Sequence, residues 1–369
     1  MGVPRKVLLL TTHLNTGGIT SYLFTLSRRL KVLGFSVAVA SSGGDRQEDF
    51  AALGVSLVTL NVRIKCEVDP RLYTAVFRLR RMICQESIDI VHAQTRVTQV
   101  MGDLLSKVTS AAYCSTCHGF FRPRWHRIIF PCWGKAVIAI SPAVQQHLKN
   151  DLRVADERIA LIPNGVELDA FPLKSEDEKR ALRRAWQLPG GPLLGIVARL
   201  SDVKGHAVLI DAMPAVLARF PDARLLIVGE GKMEASLKKQ AAGLGLEQRV
   251  IFLPSVNRTA DILPMLDIFI LPSLQEGLGL SAMEAQAAGV PVVASRVGGL
   301  ASLIEDGRTG RLVEPRNSGQ LAEAVLDLLE HPQDAEAMGR RARAFIEREY
   351  SAEQMARDTV KMYEKILSA

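Results

Sequence analysis

Two glutamates, Glu276 and Glu284, bracket Gly277-Leu278-Gly279-Leu280 inside the stretch IFILPSLQEGLGLSAMEAQAAGVPVVAS (268–295). IFIL reads as a buried strand, Pro272-Ser273 ends it, a glycine loop follows, and a helix opens near Leu278–Ser281. A helix start carries unpaired N–H groups and the positive end of the dipole, so it attracts phosphate. Each flanking carboxylate can accept from two adjacent hydroxyls, Glu276 from the loop and Glu284 from inside the helix. The matching ligand is a diphosphate with a sugar at each end. The competing explanation, a preference of helix starts for acidic residues, accounts for Glu276 more readily than for Glu284.

A second pair supplies positive charge. VARLSDVKG (197–205) sets Arg199 just past a strand end and Lys204 five residues on. Arginine offers a forked donor and lysine a point charge, so together they would neutralise a diphosphate. In a glycosyl transfer they would also stabilise the charge developing on the departing nucleoside diphosphate. A solvated surface turn is the alternative. Gly277-x-Gly279-x-x-Ala282 also mimics a dinucleotide fingerprint, the basis of a rival reading as a nicotinamide-dependent oxidoreductase. Against it, Glu276 would lie beside the pyrophosphate, and no βαβ unit with an acidic residue about 20 positions on is evident.

Cys114-Ser-Thr-Cys117-His118 spells C-x-x-C-H, the spacing of c-type haem attachment, a redox pair or half a zinc site. Haem attachment calls for export, and the N-terminal apolar run VLLL is too short for a signal peptide. No second C-x-x-C and no H-x-x-x-H completes a zinc site. The 5 cysteines (Cys66, Cys84, Cys114, Cys117, Cys132) are odd in number, as expected of free thiols in a reducing compartment. His118 at a strand end is what remains, as a functional or a packed histidine. No stretch approaches the roughly 18–20 apolar residues of a membrane span, so a soluble, cytoplasmic chain is expected.

These residues need strands to hold them. With 369 residues, two domains are the default. Apolar runs at 6–12, 36–42, 55–62, 88–94, 112–119, 135–141 and 158–165 alternate with amphipathic stretches such as 21–34 and the basic 71–87. That alternation indicates a parallel sheet covered on both faces. The charged segment 171–191, bracketed by Pro and Gly-Gly, marks a boundary, after which strands recur at 192–199, 223–231, 249–255, 268–273, 290–296 and 310–315. Residues 1–170 and 171–350 are therefore expected as two α/β domains, with a terminal helix 351–369 packing back on the first. In such sheets ligands sit at the carboxyl ends of the strands, where Arg199, Glu276 and His118 all fall.

Together these pieces resemble the retaining glycosyltransferase family 4, of the GT-B fold: two tandem Rossmann-like, doubly wound parallel-sheet domains facing across a cleft. The resemblance covers most of the chain. It rests on Gly17-Gly18, His118-Gly119, Pro163-Asn164-Gly165-Val166, Arg199…Lys204-Gly205 and Pro272-Ser273-x-x-Glu276-Gly277…Glu284-Ala285. It implies that Glu284 holds the donor ribose, and that Glu276 with the backbone through Gly277, Leu278, Gly279 and Leu280 holds the transferred sugar. Arg199 and Lys204 would bind the diphosphate, while Gly17 and Gly18 let the first-domain loop approach it. His118 would reach the sugar near the reacting centre, and Asn15, Thr16, Arg96 and Asn164 would serve the acceptor or the interdomain region. The reaction implied is a front-face transfer without a covalent enzyme intermediate. No D-x-D pair is present, Glu176-Asp177-Glu178 reads as solvated, and neither metal nor other cofactor is expected beyond the nucleotide-sugar co-substrate. Three positions depart from the family pattern: Ala198 and Pro254 stand where glycine is frequent, and Gln94 where a second histidine is. His92 reads as buried structure.

Residues 1–170 hold 21 Lys and Arg against 13 Asp and Glu, a balance of +8, whereas residues 171–369 hold 25 against 26, a balance of −1. The positive half suits an anionic partner. GFFRPRWHRIIFPCW (119–133) interleaves Phe120, Phe121, Trp125 and Trp133 with Arg122, Arg124 and Arg127. With the basic helix it suggests contact with an anionic membrane surface and a glycan or lipid-linked acceptor of the cell envelope. A UDP-sugar is the favoured donor. No nucleic-acid motif occurs, and aromatic residues make up only 5% of the chain, so nucleic acid is not an expected partner.

Overall fold

The computed structural model describes residues 5–64, 69–123, 125–188 and 190–368. Cys66 and Arg124, named above, lie outside them, as does the Trp125 side chain. The chain divides into two compact units, one made of the residues up to Gly165 together with those from Ala352 onward, the other of Val166–Ser351.

Seven parallel strands build the first unit: β1 (Lys6–Leu10), β2 (Ser36–Ser41), β3 (Ser56–Thr59), β4 (Ile90–Ala93), β5 (Ala112–Cys117), β6 (Ala136–Ala139) and β7 (Ile159–Leu161). They lie in the order β3-β2-β1-β4-β5-β6-β7. Alternate residues feed two cores, Val7, Leu9, Val37, Val39 and Ile90 on one face and Leu8, Leu10, Ala38, Ala40 and Val91 on the other. Burial on both faces is why the central strands read as near-continuous apolar runs, whereas β3 and β7, at the sheet's edges, are partly exposed. The helix Gly18–Val32 contributes Tyr22, Leu23, Leu26 and Leu30 to the first core, and Ala352–Ser368 contributes Met355, Met362, Tyr363 and Ile366 to the same cluster.

Six parallel strands build the second unit: β8 (Leu193–Val197), β9 (Arg224–Val228), β10 (Val250–Leu253), β11 (Ile268–Leu271), β12 (Val292–Ser295) and β13 (Arg311–Val313), ordered β10-β9-β8-β11-β12-β13. Both sheets are doubly wound. The order reverses between β1 and β4 in the first and between β8 and β11 in the second, and a doubly wound sheet opens a crevice where its order reverses.

Candidate active site

The switch point of the second sheet collects the residues singled out there. Past β8, the short turn Asp202–Lys204 leads into Gly205, whose φ of +73° lies in the left-handed region. A Cβ at Gly205 would stand 1.8 Å from the carbonyl oxygen of Pro272, at the end of β11. The Leu274 N–H donates to Val203 O at 2.8 Å and ties the same two loops together. This close approach carries Lys204 to Glu276: Nζ donates to Oε2 at 2.6 Å, and the Ser273 hydroxyl donates to the same oxygen at 3.1 Å. Two donors therefore engage Oε2, while Oε1 has no partner among the described residues. Sequence reading treats Lys204 and Glu276 as separate tools for phosphate and sugar; in the structure they form one ion pair, largely buried. Arg199 is exposed and makes no hydrogen bond or ion pair among the described residues.

After Glu276 the backbone turns through buried Gly277, Leu278 and Gly279, the last at φ +99°, into the helix Leu280–Ala287. Gly279 is the N-cap and supplies no side-chain acceptor, so the first helical N–H groups have no capping side chain. Glu284, one turn in, accepts from the Thr259 hydroxyl at 2.9 Å. Thr259 went unread in the sequence because it does not belong to the local motif; the fold brings it from the segment after β10. Glu176, Asp177 and Glu178 lie on the exposed helix Glu176–Ala185, paired with Lys179, Arg180 and Lys174.

In the first unit, His118 follows β5, and its Nε2 lies 2.9 Å from Gln94 Oε1, just past β4. Burial lowers its pKa to about 3, so the ring is neutral. His92 is fully buried, with Nε2 2.7 Å from Thr116 Oγ1 and Nδ1 2.7 Å from the Tyr363 hydroxyl, as a structural histidine should be. Cys114 and Cys117 are buried and free, and three positions apart on a strand they face opposite sides of the sheet. Burial pushes the Cys117 thiol up to about 12 and the Cys114 thiol higher, which excludes a reactive pair.

Gly17 and Gly18 are exposed at the start of the helix Gly18–Val32, and a Cβ at either would meet no protein atom within 4 Å. Gly17 has a φ of +157°, but at Gly18 nothing in the unit's own packing calls for glycine. Thr16 is bound by Asp45, through N–H at 2.8 Å and hydroxyl at 3.0 Å, and Asn15 takes part through its backbone, with Asn15 O accepting from Thr20. Arg96 donates to Phe130 O and Pro131 O, both at 2.8 Å, and so anchors that loop. Asn164 is buried, and its Oδ1 has no hydrogen-bond partner among the described residues. Trp133 is only 2% exposed, which removes it from the expected basic-aromatic surface; Ile128, Ile129 and Phe130 are exposed apolar residues of that loop. A cavity of about 1130 Å³ lined by Ala112, Lys135 and Ile159 lies at the opposite, amino-terminal edge of β5–β7, away from His118.

Two family descriptions match the chain: Glycosyltransferase Family 4 over residues 16–170 and Glycosyl transferases group 1 over 178–345. A GDP-mannose-dependent alpha-(1-6)-phosphatidylinositol monomannoside mannosyltransferase of Mycolicibacterium smegmatis is 36% identical over 48% of this chain and 49% of its own length. Over the first few curated relatives the match spans about half of their length. A D-inositol 3-phosphate glycosyltransferase of Pseudarthrobacter chlorophenolicus is 29% identical over 93% of this chain and 91% of its own. The crystal structure of Anabaena HepE with UDP-glucose superposes with a TM-score of 0.86, at 22% identity and over 98% of this chain and 99% of that one, a likeness of fold. With two doubly wound sheets, a phosphate-seeking helix start at the second switch point and family matches over both halves, the chain belongs to glycosyltransferase family 4, of the GT-B fold.

Proposed function

We propose that the protein moves a hexosyl or N-acetylhexosaminyl group from a nucleotide diphosphate sugar to a hydroxyl of a cell-envelope glycan or lipid-linked acceptor, with retention and without a metal. The observation that carries this reading is the second switch point. There Glu276 and the glycine loop would hold a sugar, Arg199 and Lys204 a diphosphate, and Glu284 a ribose; the Lys204–Glu276 pair, which joins the loops after β8 and β11, supports that reading. In the transfer the bond from the anomeric carbon to the phosphate oxygen breaks, and a bond to the acceptor oxygen forms on the same face. The acceptor proton passes to the leaving phosphate, whose charge Arg199 and Lys204 stabilise. His118, held neutral, accepts a hydrogen bond from a hydroxyl of the reacting sugar. Family membership disfavours the oxidoreductase alternative, as does Glu276, a carboxylate that would lie beside a dinucleotide pyrophosphate.

The base remains the choice between UDP, favoured from sequence, and GDP, favoured by the mannosyltransferase at 36% identity. Thermal unfolding with UDP-, GDP- and ADP-sugars, NAD and an oligonucleotide tests the proposal: one nucleotide sugar stabilises, NAD and the oligonucleotide do not, and EDTA leaves turnover unchanged. Glu284→Ala raises the donor Kd at least about tenfold, roughly the loss of a hydrogen bond to a charged group. The Arg199→Ala/Lys204→Ala double variant loses transfer, and full activity in it refutes the diphosphate role. An anionic membrane is proposed as a partner of the basic first half, where Tyr73, Phe77, Ile129 and Phe130 are exposed. Co-sedimentation with vesicles that ignores their anionic lipid content removes that part.

A further inference from the structure

Gln94 stands at the switch point of the first sheet, directly after β4, and is only 2% exposed. Its backbone N–H donates to Leu10 O at 2.9 Å, which fixes where the side chain begins. A primary amide has one accepting and one donating end, so its orientation dictates what each neighbour must be. Nε2 points to the carbonyl of His92 at 3.5 Å, and turning the amide over would set two oxygens against each other. Oε1 then faces His118 Nε2 at 2.9 Å. An amide oxygen only accepts, so His118 Nε2 carries a hydrogen. A neutral imidazole has a single N–H, which leaves the lone pair on Nδ1, and Nδ1 has no partner among the described residues. The Tyr22 ring packs edge-on against the imidazole, centroids 4.9 Å apart at 73°, and holds its plane. His92 does not compete for the amide, because Thr116 and Tyr363 engage both its nitrogens.

We propose that Gln94 is a positioning residue: it locks His118 as the Nε2–H tautomer and thereby presents Nδ1 as the acceptor for a substrate hydroxyl. The proposal rests on the reading that His118 serves the reacting sugar. An apolar residue at 94 leaves Nε2–H without an acceptor and lets the two tautomers exchange.

Nitrogen NMR of the full-length protein labelled at histidine tests this directly, with His118→Asn identifying the resonances. Wild type shows the Nε2–H form; an Nδ1–H form in wild type overturns the proposal without any variant. Gln94→Met, similar in volume, gives mixed tautomers. Its kcat, measured as nucleotide release from UDP-glucose or GDP-mannose, falls about ten- to hundredfold, the usual effect of removing an orienting partner. KM stays within about twofold, since the lost interaction serves the transition state. A Gln94→Met protein with the wild-type tautomer or the wild-type kcat overturns the proposal. The two possible failures are separable. An impaired His118→Ala beside a fully active Gln94→Met refutes Gln94 alone, whereas a fully active His118→Ala refutes the role of His118 and the proposal with it.

Discussion

Gly18 is the residue whose identity the fold leaves least explained. It opens the helix Gly18–Val32 with no atom within 4 Å of where a Cβ would be, so alanine fits. Glycine costs up to about 1 kcal/mol relative to alanine in a helix and more freedom in the unfolded chain, so Gly18→Ala should hold or raise the melting temperature. If that open space serves a donor diphosphate, as the proposed function has it, the same methyl group intrudes on it. The expected outcome is a protein at least as stable as wild type whose donor affinity or turnover falls about tenfold, the size of a roughly 1.4 kcal/mol steric penalty. Melting curves and transfer kinetics on one sample check both halves, and a stable, fully active Gly18→Ala removes the reason for glycine there. Glu276 makes the complementary point, since the two donors to Oε2 orient a carboxylate whose other oxygen remains to bind.

Gly205 acts at the scale of elements, because it joins the loop after β8 to the end of β11. A methyl group there would lie 1.8 Å from Pro272 O, and φ +73° is itself unfavourable for a side chain. Gly205→Ala should therefore part the two loops, cost about 1–3 kcal/mol, and weaken donor binding by moving Lys204 off Glu276. Denaturant unfolding reads the first effect and nucleotide titration the second; an unchanged midpoint would falsify the idea that this contact sets the site. Such junctions also explain what was legible in the sequence. All thirteen described strands were: burial on both faces writes the central ones as apolar runs, and the half-exposed β3, β7, β10 and β13 keep enough apolar residues to be read. The helices Ser318–Glu330 and Pro332–Glu349 went unassigned; the latter buries only a narrow stripe of Ala335, Met338, Ala342 and Ile346 within a charged sequence. The motif from Glu276 to Glu284 was readable because it is local. Its pairings were not: Lys204 and Glu276 are 72 residues apart, and Gln94 and His118 are 24, and only sheet order brings each pair together. Burial within the basic-aromatic loop was not legible either, because spacing gives no account of it, as the buried Trp133 shows.

At the scale of the whole molecule, the chain leaves its first unit at Gly165 and returns to it at Ala352, so that unit's core is completed only by the last residues of the sequence. The helix Ala352–Ser368 sets Tyr363, fully buried, against His92, itself fully buried and held neutral with a pKa lowered to about 3 by burial. Tyr363→Ala opens the core and should cost about 3–5 kcal/mol, while Tyr363→Phe only unpairs a buried imidazole nitrogen and should cost about 1–3. The pH dependence follows from the same contact. In the unfolded chain His92 takes up a proton near its ordinary pKa of about 6.5, but in the folded unit only near about 3. As pH falls through that window the unfolded state gains protons that the folded state refuses, so stability is lost, by up to about 1.4 kcal/mol per pH unit for one such group. His118 and His206, both with lowered pKa values, act in the same direction, so removing His92 reduces the acid sensitivity without abolishing it. Urea unfolding of wild type and His92→Leu at pH 7 and pH 5 provides the check. The variant should be the less stable at pH 7 yet lose less on acidification, and parallel losses in the two proteins would show that His92 is not a proton site the fold suppresses.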